Sequence, residues 1–262
     1  MNEAEILFTD VLNCDRLTLH LKSREYLTGR EQKAIVEAFM RRMKGEPLQY
    51  VLGKAEFLGL ELKVNRDVLI PRPETEILVE VALRYAKEFM PDSLRILDLC
   101  TGSGCVGLAL AKSIPNAVLD AVDICESALK VARDNALANK LNVNFIKSDL
   151  FSNLKKSRKY NIIVTNPPYV LSSEIKKLAR EIRFEPRKAL DGGPDGLKFY
   201  RKILRDCYPY MKTGGYLIME LGFRQKDEVI NILKDIKEFE LIEFLRDYNN
   251  IERIMVLRKF LR

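Results

Sequence analysis

The sequence predicts an α/β fold, a doubly wound and mostly parallel sheet of seven strands, with a small helical domain in front of it. Three observations carry this. From about residue 74, segments of helical and strand periodicity alternate to the end of the chain, the pattern of a parallel sheet with helices on both faces. A glycine-rich loop stands between a strand and a helix near residue 100, where such sheets bind ligands. The last two strand-like segments are joined by the turn-rich Asp247-Tyr248-Asn249-Asn250, which makes an antiparallel hairpin at one edge.

Residues 1 to about 45 read as helical. Ile6, Leu7 and Val11 form an apolar stripe on a helix over roughly 3–12. Thr28-Gly29-Arg30-Glu31 has capping-box spacing; Ile35, Ala38, Phe39 and Met43 then recur at helical intervals, and Gly45 supplies a stop. So few elements cannot build a strong core alone, so they lean on the rest. At 57–70 the period changes. Leu58, Leu60, Leu62 and Val64 alternate as on a half-buried strand, and Val68-Leu69-Ile70 runs into Pro71-Arg72-Pro73, a hairpin and linker. The expected division is 1–50 for the helical domain, 51–73 for the hairpin linker and 74–262 for the main domain. Within the last, helices are expected at about 74–89, from Cys105, at 126–138, at 196–210 and up to about Ile236. Strands are expected at 95–99, 118–122, 143–146, 161–165, 216–221, 239–246 and 252–258.

Composition narrows the chemistry. The chain has 262 residues, 44 Lys+Arg against 37 Asp+Glu for a formal net charge of +7, and 47% hydrophobic residues. That hydrophobic fraction supports a sizeable core and excludes disorder. The charge suits an anionic partner without requiring one. The single histidine, His20, excludes a three-histidine zinc site and an H-E-x-x-H helix, and no nucleophile signature lies near it. The five cysteines, Cys14, Cys100, Cys105, Cys125 and Cys207, hold no C-x-x-C pair and are odd in number, so reduced thiols are expected and no metal site. The N-terminus is acidic where a signal peptide is basic, and no apolar run approaches the roughly 18 residues of a membrane span. A soluble cytoplasmic protein is expected. Lys155-Lys156-Ser157-Arg158-Lys159 and the set Arg180, Arg183, Arg187 and Lys188 read as solvated basic faces, and Phe199, Ile203 and Leu204 as core.

Two motifs carry the chemistry. Asp98-Leu99-Cys100-Thr101-Gly102-Ser103-Gly104 lies between strand and helix, and with Gly107 completes G-x-G-x-x-G; Asp123 ends the next strand. Small residues let the backbone approach a nucleotide-like ligand, and the spaced acid can accept from ribose hydroxyls. Asp98 at the mouth of the loop is a poor neighbour for a pyrophosphate and a good one for the cationic amino-acid tail of S-adenosylmethionine, directly or through water. After the next strand, Asp149 can accept from an adenine amino group with Leu150 and Phe151 flanking the ring.

The second motif is Asn166-Pro167-Pro168-Tyr169, directly after the apolar strand Ile162-Ile163-Val164-Thr165 and so at a ligand-binding strand end. Two prolines stiffen the loop and remove N–H donors. The loop presents the Asn166 side-chain oxygen and the Pro167 carbonyl as acceptors for a conjugated NH₂ group, with the Tyr169 ring packing on the planar substrate. Such an amide nitrogen is a weak nucleophile, and a pair of fixed acceptors aims it at a methyl–sulfur axis and favours the charge developing on it.

With these residues the sequence resembles the amino-methyltransferases, and it is specifically similar to the peptide chain release factor N5-glutamine methyltransferases. The likeness rests also on Gly45-Glu46-Pro47-Leu48-Gln49-Tyr50-Val51-Leu52-Gly53, on Val68-Leu69-Ile70-Pro71-Arg72-Pro73-Glu74-Thr75-Glu76, on Phe184-Glu185-Pro186 and on Ala189-Leu190-Asp191-Gly192-Gly193-Pro194-Asp195-Gly196-Leu197, and it covers about residues 45–258. The resemblance implies a class I S-adenosylmethionine-dependent methyltransferase fold and methylation of the side-chain nitrogen of the Gly-Gly-Gln glutamine of release factors. It puts the cofactor against Asp98, Cys100, Thr101, Gly102, Ser103, Gly104, Asp123, Asp149, Leu150 and Asn166. It puts the substrate against Asn166, Pro167, Pro168 and Tyr169, with Asn166, Pro167 and Tyr169 catalytic. Arg72 and Glu74 fall in the family's linker signature, where they shape the cleft entrance or form a structural ion pair. Release factors are the implied partner, with no stable nucleic-acid binding, no membrane, and a monomer. Two departures stand out: Cys100 replaces the first loop glycine of many relatives, and the segment before Gly45 is shorter than the usual N-terminal bundle, which helps hold the protein substrate.

The alternatives are an adenine-N6 methyltransferase of DNA or RNA, which needs wide stacking and a phosphate groove, a nicotinamide-dependent oxidoreductase, which leaves Asn-Pro-Pro-Tyr unexplained, and a non-catalytic adapter.

Overall fold

Helix boundaries follow the local chemistry of the chain. The computed structural model describes residues 2–21, 25–90 and 93–260. Helix α1 (Glu3–Val11) starts at a capping box between Asn2 and Glu5, and α2 (Arg16–Leu21) carries His20 on an exposed face. Helix α3 (Gly29–Met43) starts at the Thr28–Glu31 capping box and stops before Gly45, whose φ of +86° no β-carbon residue adopts cheaply. After the short α4 (Leu48–Leu52), β1 (Lys54–Phe57) and β2 (Leu60–Lys63) form a hairpin. Leu58 was expected on the strand but forms the turn with Gly59; both have positive φ, as a two-residue primed turn requires, and only Leu60, Leu62 and Val64 keep the buried alternation.

The main domain begins with α5 (Pro73–Ala86), whose Pro73 occupies the first turn, where its missing N–H costs nothing. There follow β3 (Arg95–Leu99), α6 (Cys105–Ser113), β4 (Val118–Asp123), α7 (Glu126–Ala138), β5 (Asn144–Lys147), β6 (Tyr160–Thr165), the single turn α8 (Arg187–Leu190), α9 (Lys198–Asp206), β7 (Met211–Glu220), α10 (Lys226–Leu233), β8 (Phe239–Arg246) and β9 (Glu252–Lys259). The seven-stranded sheet has the order β5-β4-β3-β6-β7-β9-β8, parallel except for β9, which runs antiparallel to both neighbours. This is the expected fold with the expected antiparallel edge. One expected helix is shorter and one strand longer than the periodicity suggests. The helix expected to reach residue 210 ends at Asp206 and gives way to a 3₁₀ turn over Tyr208–Tyr210, because Pro209 has no N–H to continue the α-helical bonds, and β7 starts at Met211, pairing with Tyr160 ahead of an irregularity at Gly214 and Gly215.

The inner strands are buried on both faces, as a parallel sheet under two helical layers must be, while the edge strands β5 and β8 are partly exposed. Ile96, Ile162, Val164 and Ile218 point to one face, with Leu78 of α5 and Leu108 of α6. Leu97, Ile163, Leu217 and Met219 point to the other, with Tyr200 and Ile203 of α9 and Val229 of α10. A third small core joins Tyr50, Val64, Val68 and Ile70 of the linker to Ala128 and Val131 of α7. Several expected basic faces are partly tied down: Arg158 pairs with Asp120 at 3.1 Å and Arg187 with Asp191 at 3.0 Å. Among the described residues no helix is long and apolar enough to cross a membrane.

One side chain fastens the hairpin to the main sheet. Asn135 of α7, 1% exposed, accepts from the Lys63 amide at 2.6 Å and donates to the Lys63 carbonyl at 3.1 Å and the Ser103 carbonyl at 2.9 Å. Asn135→Ala removes all three bonds and leaves buried backbone groups unpaired, so urea denaturation should show a loss of about 2–4 kcal/mol. A loss below about 0.5 kcal/mol would mean that the hairpin is held by its apolar contacts and by its bonds to Asn139, Lys112 and Glu76, without need of Asn135.

Candidate active site

The order of the sheet reverses between β3 and β6: from β3 the chain moves outward through β4 and β5, then returns to the other side of β3 to lay down β6. Strand registers bring Leu99, Val122 and Thr165 level, so the loops that follow β3, β4 and β6 open side by side at the crevice where α/β sheets bind ligands.

The glycine loop is held from inside. Asp98 Oδ2 accepts from Thr101 Oγ1 at 2.6 Å and from the Gly107 amide at 3.0 Å. Burial pushes the Asp98 carboxyl up to about 7, opposed by those two donors. A β-carbon on Gly107 would lie 3.0 Å from Asp98 Oδ2, so the third glycine of the motif makes room for this carboxylate. Thr101, Ser103 and Gly104 are buried with Asp98, whereas Cys100 and Gly102 reach the surface. Gly102 has φ +55° and open space where a β-carbon would project. Cys100 has φ +60°, the left-handed region that glycine adopts without strain. Its thiol is pushed up by burial, with Asp123 and Asp98 adding to the effect.

Asp123 is half-buried at the end of β4. It accepts from the Gly102 amide at 3.0 Å and the Cys125 amide at 2.8 Å, which fixes the carboxylate beside the loop. Asp149, after β5, bonds Lys202 of α9 at 2.8 Å, and Leu150 is buried with φ +49°. Phe151, expected to flank a ligand ring, stacks on Tyr210 at 4.8 Å and lines a cavity beside Asp149. That cavity, of about 290 Å³, opens beside Asp149, Lys202 and Tyr210, on the α9 side of this strand end.

Asn166, Pro167 and Tyr169 line a separate cleft of about 190 Å³ with Leu69, Arg72, Leu178 and Ile182; Pro168, expected against the substrate, is not among its lining residues. Pro167 and Pro168 are buried; Asn166 and Tyr169 are half-buried. Asn166 Nδ2 donates to Thr75 Oγ1 at 3.1 Å, and Thr75 Oγ1 donates to Glu220 Oε2 at 2.8 Å. Arg72 does both things considered for it: it lines the cleft and pairs at 2.5 Å with the buried Glu185, which also accepts from the Ile70 amide at 3.2 Å. Glu74 touches the site only through its charge on Glu220 and Tyr169.

Thr75, Glu220, Gln225, Gly192 and Gly196 were missed as site residues. Gln225 Nε2 donates to the Tyr169 carbonyl at 3.0 Å, the Val170 amide donates to the Leu190 carbonyl at 2.8 Å, and the Gly192 amide to the Val170 carbonyl at 2.8 Å. The Ala189–Leu197 segment is thus a brace against the Asn-Pro-Pro-Tyr loop. Its glycines were the available signal: a β-carbon on Gly192 would come within 2.7 Å of Tyr169 Cα, and one on Gly196 within 2.6 Å of the Tyr169 carbonyl oxygen.

Comparison with known proteins agrees with this geometry. The Methyltransferase small domain model matches residues 75–195, and the PrmC N-terminal domain model matches residues 1–53. The release factor glutamine methyltransferase of Thermodesulfovibrio yellowstonii is 42% identical over 99% of this chain and 92% of its own length. That of Koribacter versatilis is 40% identical over 98% of this chain and 90% of its own. In fold, the chain resembles a methyltransferase from Pyrococcus furiosus, with a TM-score of 0.56 at 18% identity over 89% of this chain and all of that one.

Because Gly192 touches backbone rather than a movable side chain, Gly192→Ala should displace residues 169–170 and lower turnover about tenfold or more, with the far-ultraviolet dichroism unchanged. Turnover within about twofold of wild type would show that the loop does not need the brace.

Proposed function

The chain belongs to the release factor glutamine methyltransferase family, and from that premise we infer that it transfers a methyl group from S-adenosylmethionine to the side-chain nitrogen, N5, of the glutamine in the Gly-Gly-Gln motif of release factors. The observation that supports this most is the Asn166 carboxamide at the strand end, its NH₂ engaged by Thr75 and its oxygen left for the cleft.

The residues of the crevice fit the methyl donor. Carboxylates stand at the end of β4 and after β5, at Asp123 and Asp149, while Asp98, expected as a contact, is buried and holds the loop from within. That set suits a sulfonium and an ammonium group and repels a pyrophosphate, which speaks against a nicotinamide dinucleotide. Cys100 and Gly102 would take the cofactor against their backbone, Asp123 its ribose hydroxyls, and Asp149 with Leu150 its adenine. Thr101, Ser103 and Gly104, expected as contacts, act on this reading by shaping the loop from within. When bound, S-adenosylmethionine supplies an electrophilic methyl group.

The chain's own part is positioning. Asn166 Oδ1 and the Pro167 carbonyl accept the two N–H bonds of the glutamine amide and so fix its plane. Its lone pair is thereby directed out of that plane, toward the crevice of the glycine loop. Near-attack alignment of this kind is worth up to about 7–11 kcal/mol. The same two acceptors favour positive charge developing on nitrogen. The alkylated nitrogen is strongly acidic and releases its proton without a dedicated base, consistent with His20 lying exposed in α2. Leu69, Leu178 and Ile182 give the cleft aliphatic walls suited to a glutamine stem, where a nucleobase needs wide aromatic stacking.

In the same reading, residues 1–50 form the substrate-recognition domain, 51–73 the hairpin linker and 74–262 the catalytic domain of a cytoplasmic monomer that forms no stable complex with nucleic acid. The match of residues 1–53 to the N-terminal domain model supports a boundary close to this one.

Labelled methyl transfer to a release factor, run beside DNA and ribosomal RNA, tests the reading. Label should appear on the glutamine, and Asn166→Ala should lower turnover about 100-fold. Label on nucleic acid alone, or full activity in Asn166→Ala, would contradict it.

A further inference from the structure

A buried carboxyl group that touches no reacting atom underlies the Asn-Pro-Pro-Tyr loop. Glu220, at the end of β7, is 1% exposed, and Thr75, in the first turn of α5, is 2% exposed. Glu220 Oε2 accepts from Thr75 Oγ1 at 2.8 Å, and Thr75 Oγ1 accepts from Asn166 Nδ2 at 3.1 Å. The Tyr169 side chain acts on the Glu220 carboxyl from the other end of the loop. One buried carboxylate therefore holds Asn166 through Thr75 and faces Tyr169.

The polarity of this chain of bonds has a chemical consequence. A hydroxyl has one proton. Donated to an ionised Glu220, it leaves Thr75 able only to accept from Asn166. The two ends of a carboxamide have nearly the same shape, so the hydrogen-bond network decides which end faces which way. Here it turns NH₂ toward Thr75 and Oδ1 toward the cleft. With Glu220 neutral and donating, Thr75 has a proton free for Asn166 Oδ1. The carboxamide then turns over and presents donors to a substrate group that itself brings only donors.

We propose that Thr75 and Glu220 are positioning residues for the transfer: the Glu220 carboxylate, acting through the Thr75 hydroxyl, sets the Asn166 carboxamide with its oxygen toward the substrate amide. This rests on the reading of Asn166 as an acceptor given above. Among the described residues, five further groups act on Glu220 from the elements packed around it. Glu74 lies on α5, Cys105 on α6, Tyr169 on the loop, Tyr200 on α9 and Arg253 on β9. Burial pushes the Glu220 carboxyl up to about 7, against the Thr75 hydrogen bond and the Arg253 charge, while Glu74 adds to the rise. The ionised form predominates above that pH, so turnover falls as the pH drops through about 7.

The test uses the full chain with S-adenosylmethionine and a release factor, and follows turnover, KM for both substrates and the pH profile. Thr75→Val keeps the shape and removes the hydroxyl; turnover should drop about 10- to 100-fold with KM for S-adenosylmethionine within about twofold of wild type. Thr75→Ser restores the hydroxyl and should recover most of the turnover. Glu220→Gln cannot ionise, and its turnover should lose the acid limb between about pH 6 and 8 that wild type shows. Wild-type turnover in Thr75→Val, or an unchanged acid limb in Glu220→Gln, overturns the proposal. If Thr75→Val fails to fold, the Glu220→Gln profile decides alone. Asn166→Ala, run in parallel, separates the cases: its loss of activity beside an unimpaired Thr75→Val refutes the positioning role and leaves the acceptor reading standing.

Discussion

The backbone of residues 166–169 has to be immobile before any of its groups can aim a weak nucleophile, and most of the unusual packing in the molecule serves that end. The prolines remove two degrees of freedom from within. From outside, Gln225 takes the Tyr169 carbonyl, and its own oxygen is held by Tyr200 at 3.2 Å and the Gly222 amide at 3.1 Å. Gly192 and Gly196 let the brace approach at backbone distance, and Glu220 with Thr75 supports the loop from the sheet side. The site is a buttressed carboxamide, and on the proposed function its contribution to catalysis is geometry rather than acid–base exchange.

A second set of contacts ties the substrate side to the catalytic side. Glu46 bonds Arg41 at 2.9 Å and Arg66 at 3.2 Å, and Tyr50 Oη donates to the Val68 carbonyl at 2.5 Å. Arg66 lies over the Phe184 ring, and Glu185 next to it holds Arg72 at the cleft. The separate sequence signatures that marked the family are thus largely one contact network. It runs from the end of α3 to the wall of the substrate cleft, so that movement of the helical domain and of the cleft entrance are mechanically coupled.

Much of the fold was legible because its signals are local. Two-sided apolar strands, the Thr28 capping box and the glycine loop each report their own few residues, and the elements at Arg95–Leu99, Glu126–Ala138 and Phe239–Arg246 stand where periodicity put them. Leu58 misled because alternation does not reveal a two-residue turn, and the late end of α9 misled because Tyr208 and Tyr210 continue an apolar pattern across Pro209. The positions of Asn166 to Tyr169 and of Asp123 at the ends of β6 and β4 were readable from motif and spacing. Thr75, Glu220 and Gln225 were not: each lies 50 or more residues from the loop it supports, and each meets it only through the order of the sheet. The stacking of Phe151 on Tyr210 is likewise invisible until the chain is folded.

The central claim is that the Asn166 side-chain oxygen and the Pro167 carbonyl together accept the amide hydrogens of the substrate glutamine. The most direct measurement is a crystal structure of the chain with S-adenosylhomocysteine and a Gly-Gly-Gln peptide. The account predicts the glutamine nitrogen about 3 Å from both acceptors, with Asn166 Nδ2 still on Thr75. A glutamine nitrogen facing Asn166 Nδ2, or bonded to neither acceptor, would contradict it.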